Sequence, residues 1–179
     1  MIRTTLLLGA LLLLIAPLQA ATITLTLDDV PEVECGALFA ELECQLHFEN
    51  TTGEDQTPGY CAFIEDANNF GLAGVYLWPS RLVLDLDNLE GIESVEVDVY
   101  ETHFAGSTRV FLYGDDGAID STASYMEDGQ TLTVATDGEV PTSLAVSAHE
   151  AYVWEIRLIG ETAAPVEQFS FSAVKAIYR

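Results

Sequence analysis

The stretch SVEVDVY, residues 94–100, decides the fold class of this chain, because its apolar and acidic side chains alternate without a break. Successive side chains of a β-strand point to opposite faces. The three valines would therefore share one face, and Glu96 and Asp98 would share the other. This pattern predicts a strand with one side in a core and the other in water.

The same alternation recurs along the chain, with turn signals such as Asp128-Gly129 and Asp137-Gly138 between the runs. In the run 152–158 it predicts that Trp154 faces the core, while Glu155 and Arg157 face solvent. Strands at this spacing predict an all-β fold, an antiparallel β-sandwich of jelly-roll type. One short helix is predicted at 34–43. The other alternating runs are 22–27, 81–86, 131–134, 142–146 and 169–173.

Three aspartates fall close together in FLYGDDGAIDST, residues 111–122, and raise the question of a metal loop. A calcium loop of the EF-hand type needs oxygen ligands at alternating positions. Counting from Asp115, the third and fifth positions are Gly117 and Ile119, so that pattern fails. Asp and Gly are turn residues, and the stretch predicts a β-hairpin whose turn contains Asp115, Asp116 and Gly117.

Residues 1–20 have the features of a signal peptide: Arg3, an apolar run from Leu6 to Ile15, and a small residue at Ala20. The apolar run is shorter than the roughly 20 residues that span a bilayer. We therefore predict export, with a mature protein that is secreted, periplasmic or on the cell surface and not inserted in a membrane. The remainder, 21–179, is long enough for a single β-sandwich domain.

The chain is strongly acidic, with 6 Lys and Arg against 29 Asp and Glu, a net charge of −23. Such a surface repels phosphate backbones and anionic lipids, so nucleic acid is excluded as a partner. The hydrophobic fraction of 49% and the mean hydropathy of +0.24 argue against disorder.

Three cysteines, Cys35, Cys44 and Cys61, allow one disulfide and one free thiol, or a bridge between chains. If 34–43 is helical, Cys35 and Cys44 are about 13 Å apart along its axis, beyond the roughly 7 Å reach of a bridge. Cys44 and Cys61 are then the preferred pair. The CxxC spacing that is typical of zinc and redox sites is absent from the sequence.

Several segments resemble exported bacterial jelly-roll domains of the galactose-binding-like and carbohydrate-binding-module-like classes. They are LHFENTTGED (46–55), YCAFIEDANNFGLAGVYLWPS (60–80), SVEVDVYETHFAGSTRVFLYGDDGAIDST (94–122) and AYVWEIRLIG (151–160). The resemblance spans most of the mature chain. Its motifs are generic to these sandwiches, so it implies a fold more strongly than a function.

The resemblance also implies a structural calcium ion. Glu49 matches an early acidic position that holds calcium in such domains, and Asn50 and Asp55 are the other candidate ligands. Where relatives often carry an Asp-Asn pair near the final strand, this chain reads Phe171-Ser172-Ala173-Val174. That departure leaves a polar loop without an ion as the alternative.

No catalytic motif is found. His47, His103 and His149 lack zinc-site spacing, and no G-x-S-x-G elbow marks a nucleophile. Glu96 and Asp98 could form a hydrolytic carboxylate pair, but a charged outer face is the preferred explanation for them.

Aromatic and histidine side chains near loops are the candidate ligand-binding residues, because flat rings stack on the apolar faces of sugars. They are Trp78, Tyr100, His103 and Tyr125. We therefore predict a secreted, non-catalytic module that binds carbohydrate or a cell-surface glycan. The alternatives are a structural or adhesive module that binds another extracellular protein, and a glycoside hydrolase.

Overall fold

A computed structural model describes residues 21–27, 37–39, 44–49, 60–67, 72–102, 105–160 and 167–170, with side chains over 22–27, 73–102 and 105–160. The predicted signal peptide, residues 1–20, lies outside the described residues and remains a prediction.

The described residues form strands and turns, and no helix. The strands are β1 Ala21–Thr26, β2 Ala37–Phe39, β3 Cys44–Glu49, β4 Tyr60–Ala67, β5 Leu72–Trp78, β6 Ser80–Asp85, β7 Ile92–Glu101, β8 Arg109–Gly114, β9 Gly117–Ala123, β10 Gly129–Ala135, β11 Ser143–Ala148, β12 Ala151–Gly160 and β13 Glu167–Ser170. The predicted all-β class is confirmed.

The strands form two sheets. The front sheet has the order β10-β7-β12-β1-β13, and the back sheet has the order β2-β3-β6-β11-β8-β9. The first residues of β12 pair with β5, and its later residues pair with β1, so β5 and its neighbour β4 extend the front sheet. All pairs are antiparallel except β1 with β13. From β6 to β12 the chain crosses to the other sheet at every step except from β8 to β9, which are neighbours in the back sheet.

The core lies between the two sheets and follows the predicted alternation. In β7 the three valines are fully buried, whereas Glu96 and Asp98 on the other face are partly exposed. Matching leucines and valines of β6, β8 and β11 bury the inner face of the back sheet. Burial of these side chains stabilises the sandwich by about 1.5–3 kcal/mol each.

The predicted helix at 34–43 is wrong. Ala37–Phe39 is a strand that pairs antiparallel with β3, with Phe39 opposite Cys44. A short apolar run cannot be assigned to a helix or a strand by periodicity alone, and here pairing with β3 decides.

The disulfide prediction depended in part on that helix, so it loses this support. The distance that excluded a Cys35–Cys44 bridge assumed helical geometry, so this pairing is open again. Cys44 belongs to β3 of the back sheet and Cys61 to β4 of the front sheet. Cys35 and all three cysteine side chains lie outside what the structure describes.

The predicted hairpin is confirmed. Strands β8 and β9 pair antiparallel, and Gly114 lies opposite Gly117 across the turn. Asp115 and Asp116 are exposed at its tip. The third aspartate, Asp120, accepts hydrogen bonds from the amides of Ser121 at 2.7 Å and Ala135 at 2.8 Å. It therefore joins an edge of the back sheet to an edge of the front sheet.

Candidate functional site

The outer face of the front sheet carries a group of aromatic side chains near the ends of three neighbouring strands. Their sequence neighbours Val75, Leu77, Val99 and Val153 are fully buried in the core, so alternation directs the aromatic rings outward. We call this group the aromatic platform. Its members are Tyr76, Trp78, Tyr100, Tyr152 and Trp154.

Three tyrosines of the platform form a row across the strands. Tyr152 of β12 lies opposite Tyr76 of β5 on one side and opposite Tyr100 of β7 on the other. The rings of Tyr76 and Tyr152 have centroids 4.8 Å apart and planes tilted by 44°. Because strands are about 4.8 Å apart, the row extends roughly 10 Å across the sheet.

Trp154 joins the platform because of a β-bulge, and the prediction that it faces the core is wrong. The pairing of β12 with β7 shifts between Val153 and Glu155. The extra residue reverses the alternation, so Val153 and Ile156 are both buried while Trp154 is partly exposed. Bulges of this kind redirect a side chain, and period-two counting cannot anticipate them.

Two glycines make room for Trp154. A Cβ on Gly74 would lie 2.7 Å from the carbonyl oxygen of Val153 and 3.2 Å from the Cβ of Trp154, so β5 can approach the bulge only with glycine there. A Cβ on Gly129 would lie 3.8 Å from Cη2 of Trp154 and 3.7 Å from Cδ2 of Tyr100. The indole therefore reaches from β12 across β7 towards β10, and lies along the sheet.

Substitution at Gly129 tests whether the indole of Trp154 lies against this residue. Gly129→Ala adds a methyl group at ordinary contact distance and is expected to leave ligand binding unchanged. Gly129→Leu needs the space that the indole occupies and is expected to displace it, with a fluorescence shift and weaker binding. Tryptophan fluorescence reports on the platform because both tryptophans of the chain belong to it. Equal spectra for the two variants would contradict the arrangement.

His149 extends the platform beside Trp78. The two rings have centroids 5.4 Å apart and planes tilted by 37°. Trp78 is the last residue of β5, and His149 lies just before β12, so this contact is at the loop end of the platform.

A cluster of charged side chains continues the same face. Arg157 donates from both terminal nitrogens to Asp98, at 2.7 and 2.8 Å, and from Nε to Glu96 at 2.8 Å. It also contacts Glu155, and Thr131 donates its hydroxyl to Asp98 at 2.6 Å. These interactions, first that with Asp98, raise the pKa of Arg157 above its ordinary value, so the guanidinium remains charged at every working pH. Glu96 and Asp98, the two carboxylates considered as a hydrolytic pair, therefore both bind Arg157.

Removal of Arg157 is expected to destabilise the fold most at low salt. Arg157→Met leaves Glu96, Asp98 and Glu155 close together without a counter-charge, and we expect a loss of about 1–2 kcal/mol at low salt. Added salt screens the repulsion between these carboxylates, so the loss should shrink at about 1 M salt. Urea unfolding of both proteins at the two salt concentrations measures this. A loss that is larger at high salt would contradict this interpretation of the cluster.

Two buried polar side chains hold the loops at the platform end of the sandwich. Glu101 is 1% exposed, and its Oε2 accepts hydrogen bonds from the amide and hydroxyl of Thr108, at 2.9 and 2.6 Å, and from the hydroxyl of Ser124 at 2.9 Å. Gln130 accepts from the amide of Tyr125 at 2.9 Å and donates to the carbonyl of Met126 at 2.7 Å. Thr108 and the segment from Ser124 to Met126 are therefore held in place beside the platform.

The structure brings three of the four predicted ligand-binding residues to this end of the molecule. Trp78 and Tyr100 belong to the platform, although Tyr100 lies within β7 and not in a loop. Tyr125 is 65% exposed, in the loop that leads to β10. His103 lies outside the described residues. Their role in binding remains a prediction.

The predicted calcium ligands remain untested. The backbone of Glu49 ends β3, but its side chain, and all of Asn50 and Asp55, lie outside what is described. Within the part of the chain that is described, no group of three or more His, Cys, Asp or Glu residues could hold a metal ion.

The sequence prediction missed Tyr76 because binding residues were sought near loops. It missed Tyr152 and Trp154 because alternation placed both on the core face of their strand. A signal was present in Gly74-Val75-Tyr76-Leu77-Trp78, which is apolar on both faces of a strand. A strand with one face in water should carry polar residues there, so outward aromatic residues indicate a surface with a second role.

Comparisons with known proteins return carbohydrate-binding modules among solved structures. A family 29 module complexed with mannohexaose is 9% identical, covers 79% of this chain and 92% of its own, and has a TM-score of 0.45. The module CBM36, in complex with calcium and xylotriose, is 16% identical, covers 62% and 91%, and has a TM-score of 0.41. A chain of Bacillus endospore appendages, which form disulfide-linked pili, is 10% identical, covers 79% and 89%, and has a TM-score of 0.31.

No family model and no curated protein matches the chain. The first two structures belong to the carbohydrate-binding-module-like class that the sequence resembles. With identities and scores this low, function must be argued from this chain's own side chains.

Among the described residues, no helix is long and apolar enough to cross a membrane.

Proposed function

We propose that this protein is an exported, non-catalytic module that binds polysaccharide on the aromatic platform of its front sheet. The observation that carries the proposal is the row of rings on an outward sheet face, where packing of the core gives no reason for them. Tyr76, Tyr152 and Tyr100 occupy neighbouring positions on three strands. A continuous apolar surface of this kind is typical of a binding site.

Sugars suit this surface because a pyranose ring has an apolar face of C–H groups and a rim of hydroxyls. The apolar face can stack on a tyrosine or tryptophan ring, and the C–H groups are attracted by the negative face of the ring. The row of tyrosines crosses several strands, so it offers successive contacts to a chain of sugars and favours a polysaccharide over a single sugar.

Hydroxyl recognition would come from the charged cluster next to the rings. Asp98 is held by Arg157 and Thr131, so its oxygens are fixed in direction before a ligand arrives. Fixed polar groups beside an apolar surface give orientation and specificity. Because these side chains already have partners, binding does not cost the ordering of free side chains.

The charge of the protein limits the ligand to neutral or cationic polysaccharide. Arg157 is the one Lys or Arg on the described part of this face, and it is bound by carboxylates. With a net charge of −23, a uronic-acid or sulfated chain would be repelled.

A panel of soluble polysaccharides tests the proposal. Purified residues 21–179 would be run by affinity electrophoresis in gels that contain neutral xylan, mannan or β-glucan, or anionic alginate, each with and without calcium. We expect retardation by a neutral polysaccharide and none by alginate. A requirement for calcium would support the ion site at Glu49, Asn50 and Asp55. Free migration in every gel would remove the proposed function.

An aromatic pair on the back sheet gives a matched control. Phe111 and Tyr113 of β8 stack with centroids 6.0 Å apart, and they face outward because Val110 and Leu112 are buried in the core. Tyr152→Ala is expected to weaken retardation at least tenfold in Kd, a loss of about 1.4 kcal/mol, while Tyr113→Ala leaves it unchanged. Equal losses in the two variants would show that the binding is not specific to the front sheet.

A further inference from the structure

A cleft lies at the opposite end of the sandwich from the platform. Its volume is about 400 Å³, and it is formed between the loop that precedes β7 and the loop that follows β10. Strand β7 begins at Ile92 in the cleft and reaches Tyr100 on the platform, roughly 26 Å further along at about 3.3 Å per residue. The cleft is lined by Glu90, Gly91, Ile92, Thr136, Gly138, Glu139, Val140 and Pro141.

One wall of the cleft is held to the sandwich by hydrogen bonds. Thr136 donates from its amide, at 2.9 Å, and from its hydroxyl, at 3.1 Å, to the carbonyl of Glu93. The amide of Glu139 donates to the carbonyl of Thr136 at 2.9 Å and closes a tight turn. Asp137 and Gly138 in that turn have positive φ, 50° and 87°, as in a type I′ turn. The turn from Thr136 to Glu139, which forms this wall, is therefore fixed relative to β7.

The cleft combines apolar walls with negative charge. Ile92 and Pro141 are buried at its base, and Val140 is 73% exposed at its side. Glu90 and Glu139 are exposed and supply the charge, and the described residues that line the cleft include no Lys, Arg or His. An apolar wall beside carboxylates complements a molecule that has both a hydrocarbon part and a positive charge.

This lining suits an organic cation better than a metal ion or an anion. A calcium ion takes six to eight oxygen ligands, and two carboxylates among valine, isoleucine and proline do not supply them. An anionic ligand would be repelled by Glu90 and Glu139. The volume is within the range of about 300–1,000 Å³ that holds small molecules.

We propose that this cleft binds a small organic cation, an alkylammonium compound whose hydrocarbon part contacts Val140 and Ile92 and whose charge lies between Glu90 and Glu139. The site is separate from the platform and needs no glycan. Burial of the hydrocarbon part and attraction by the two carboxylates act together, so both are needed for binding.

An NMR titration with 1,5-diaminopentane tests the proposal, with the uncharged 1,5-pentanediol as the matched probe. We expect the diamine to shift the amide signals of Gly91, Gly138 and Val140, and the diol to have no effect at equal concentration. A double variant, Glu90→Gln with Glu139→Gln, should bind the diamine at least about tenfold more weakly. Binding of the wild-type protein should also weaken as salt is added.

A second double variant separates this site from general attraction to an acidic protein. Asp115→Asn with Asp116→Asn removes the same charge at the exposed tip of the β8–β9 hairpin and is expected to leave binding unchanged. Equal weakening in both double variants, or shifts spread over the whole surface, would overturn the proposal. Trp154→Ala should not alter diamine binding, so failure of the polysaccharide proposal and failure of this one are distinguishable.

Discussion

Trp154→Ala is expected to weaken polysaccharide binding at least about thirtyfold, the largest functional effect of any single substitution. Residues that dominate a binding surface contribute about 2 kcal/mol or more, and each 1.4 kcal/mol is a factor of ten in Kd. Trp154 should be such a residue because its indole reaches across β7 to Gly129, where it lies beside the ring of Tyr100. It offers a broad ring that is already fixed in direction, so little ordering is needed when the ligand binds.

Isothermal titration with the polysaccharide that retards the wild-type protein measures this effect. The variant should remain folded, since the indole is partly exposed and the core residues Val153 and Ile156 are unchanged. The thermal midpoint should therefore fall by only a few degrees. Trp154→Phe should recover part of the affinity because a flat ring is retained. A Trp154→Ala variant with wild-type affinity would exclude the indole from the site.

Glu101→Ala is expected to cause the largest loss of stability, about 3–5 kcal/mol. The substitution leaves the amide and hydroxyl of Thr108 and the hydroxyl of Ser124 without their buried acceptor. Each such donor costs roughly 1–3 kcal/mol, and water entering the space recovers part of this. For a domain with a total stability of about 5–15 kcal/mol, a large share would be lost.

Urea unfolding measures this loss, and the same strand supplies the control. Glu93 also belongs to β7, but its side chain is exposed, so Glu93→Ala should change stability by less than about 0.5 kcal/mol. Glu101→Gln keeps an acceptor oxygen and should be intermediate. If the two alanine variants unfold at the same urea concentration, the hydrogen bonds of Glu101 do not hold the loops as described.

The alternation of the sequence predicted the sandwich because each strand has one face in the core. In β7 the buried valines and the exposed acids lie as the pattern requires. The same counting, extended two residues beyond Val99, places Glu101 on the buried face, although no prediction was made for this acid. Its partners could not be predicted, because Thr108 and Ser124 are brought to it by the fold.

The aromatic platform was predictable only in part, because two of its determinants depend on tertiary structure. Trp78 and Tyr100 were found from their position near strand ends. The bulge that turns Trp154 outward arises from the pairing of β12 with β7, which no local pattern reveals. The approach of β5 at Gly74 likewise depends on a partner that is distant in sequence. The short strand β2 was mistaken for a helix for the same reason.

One NMR experiment tests the central claim most directly. The ¹⁵N-labelled protein would be titrated with a hexasaccharide of the polysaccharide that it binds, and its two indole N–H signals would be followed. We expect the indole signal of Trp154 and the amide signals of Tyr100 and Tyr152 to shift together and to saturate at one concentration. Saturable shifts confined to the back sheet or to the cleft near Val140, with both indole signals unmoved, would contradict it.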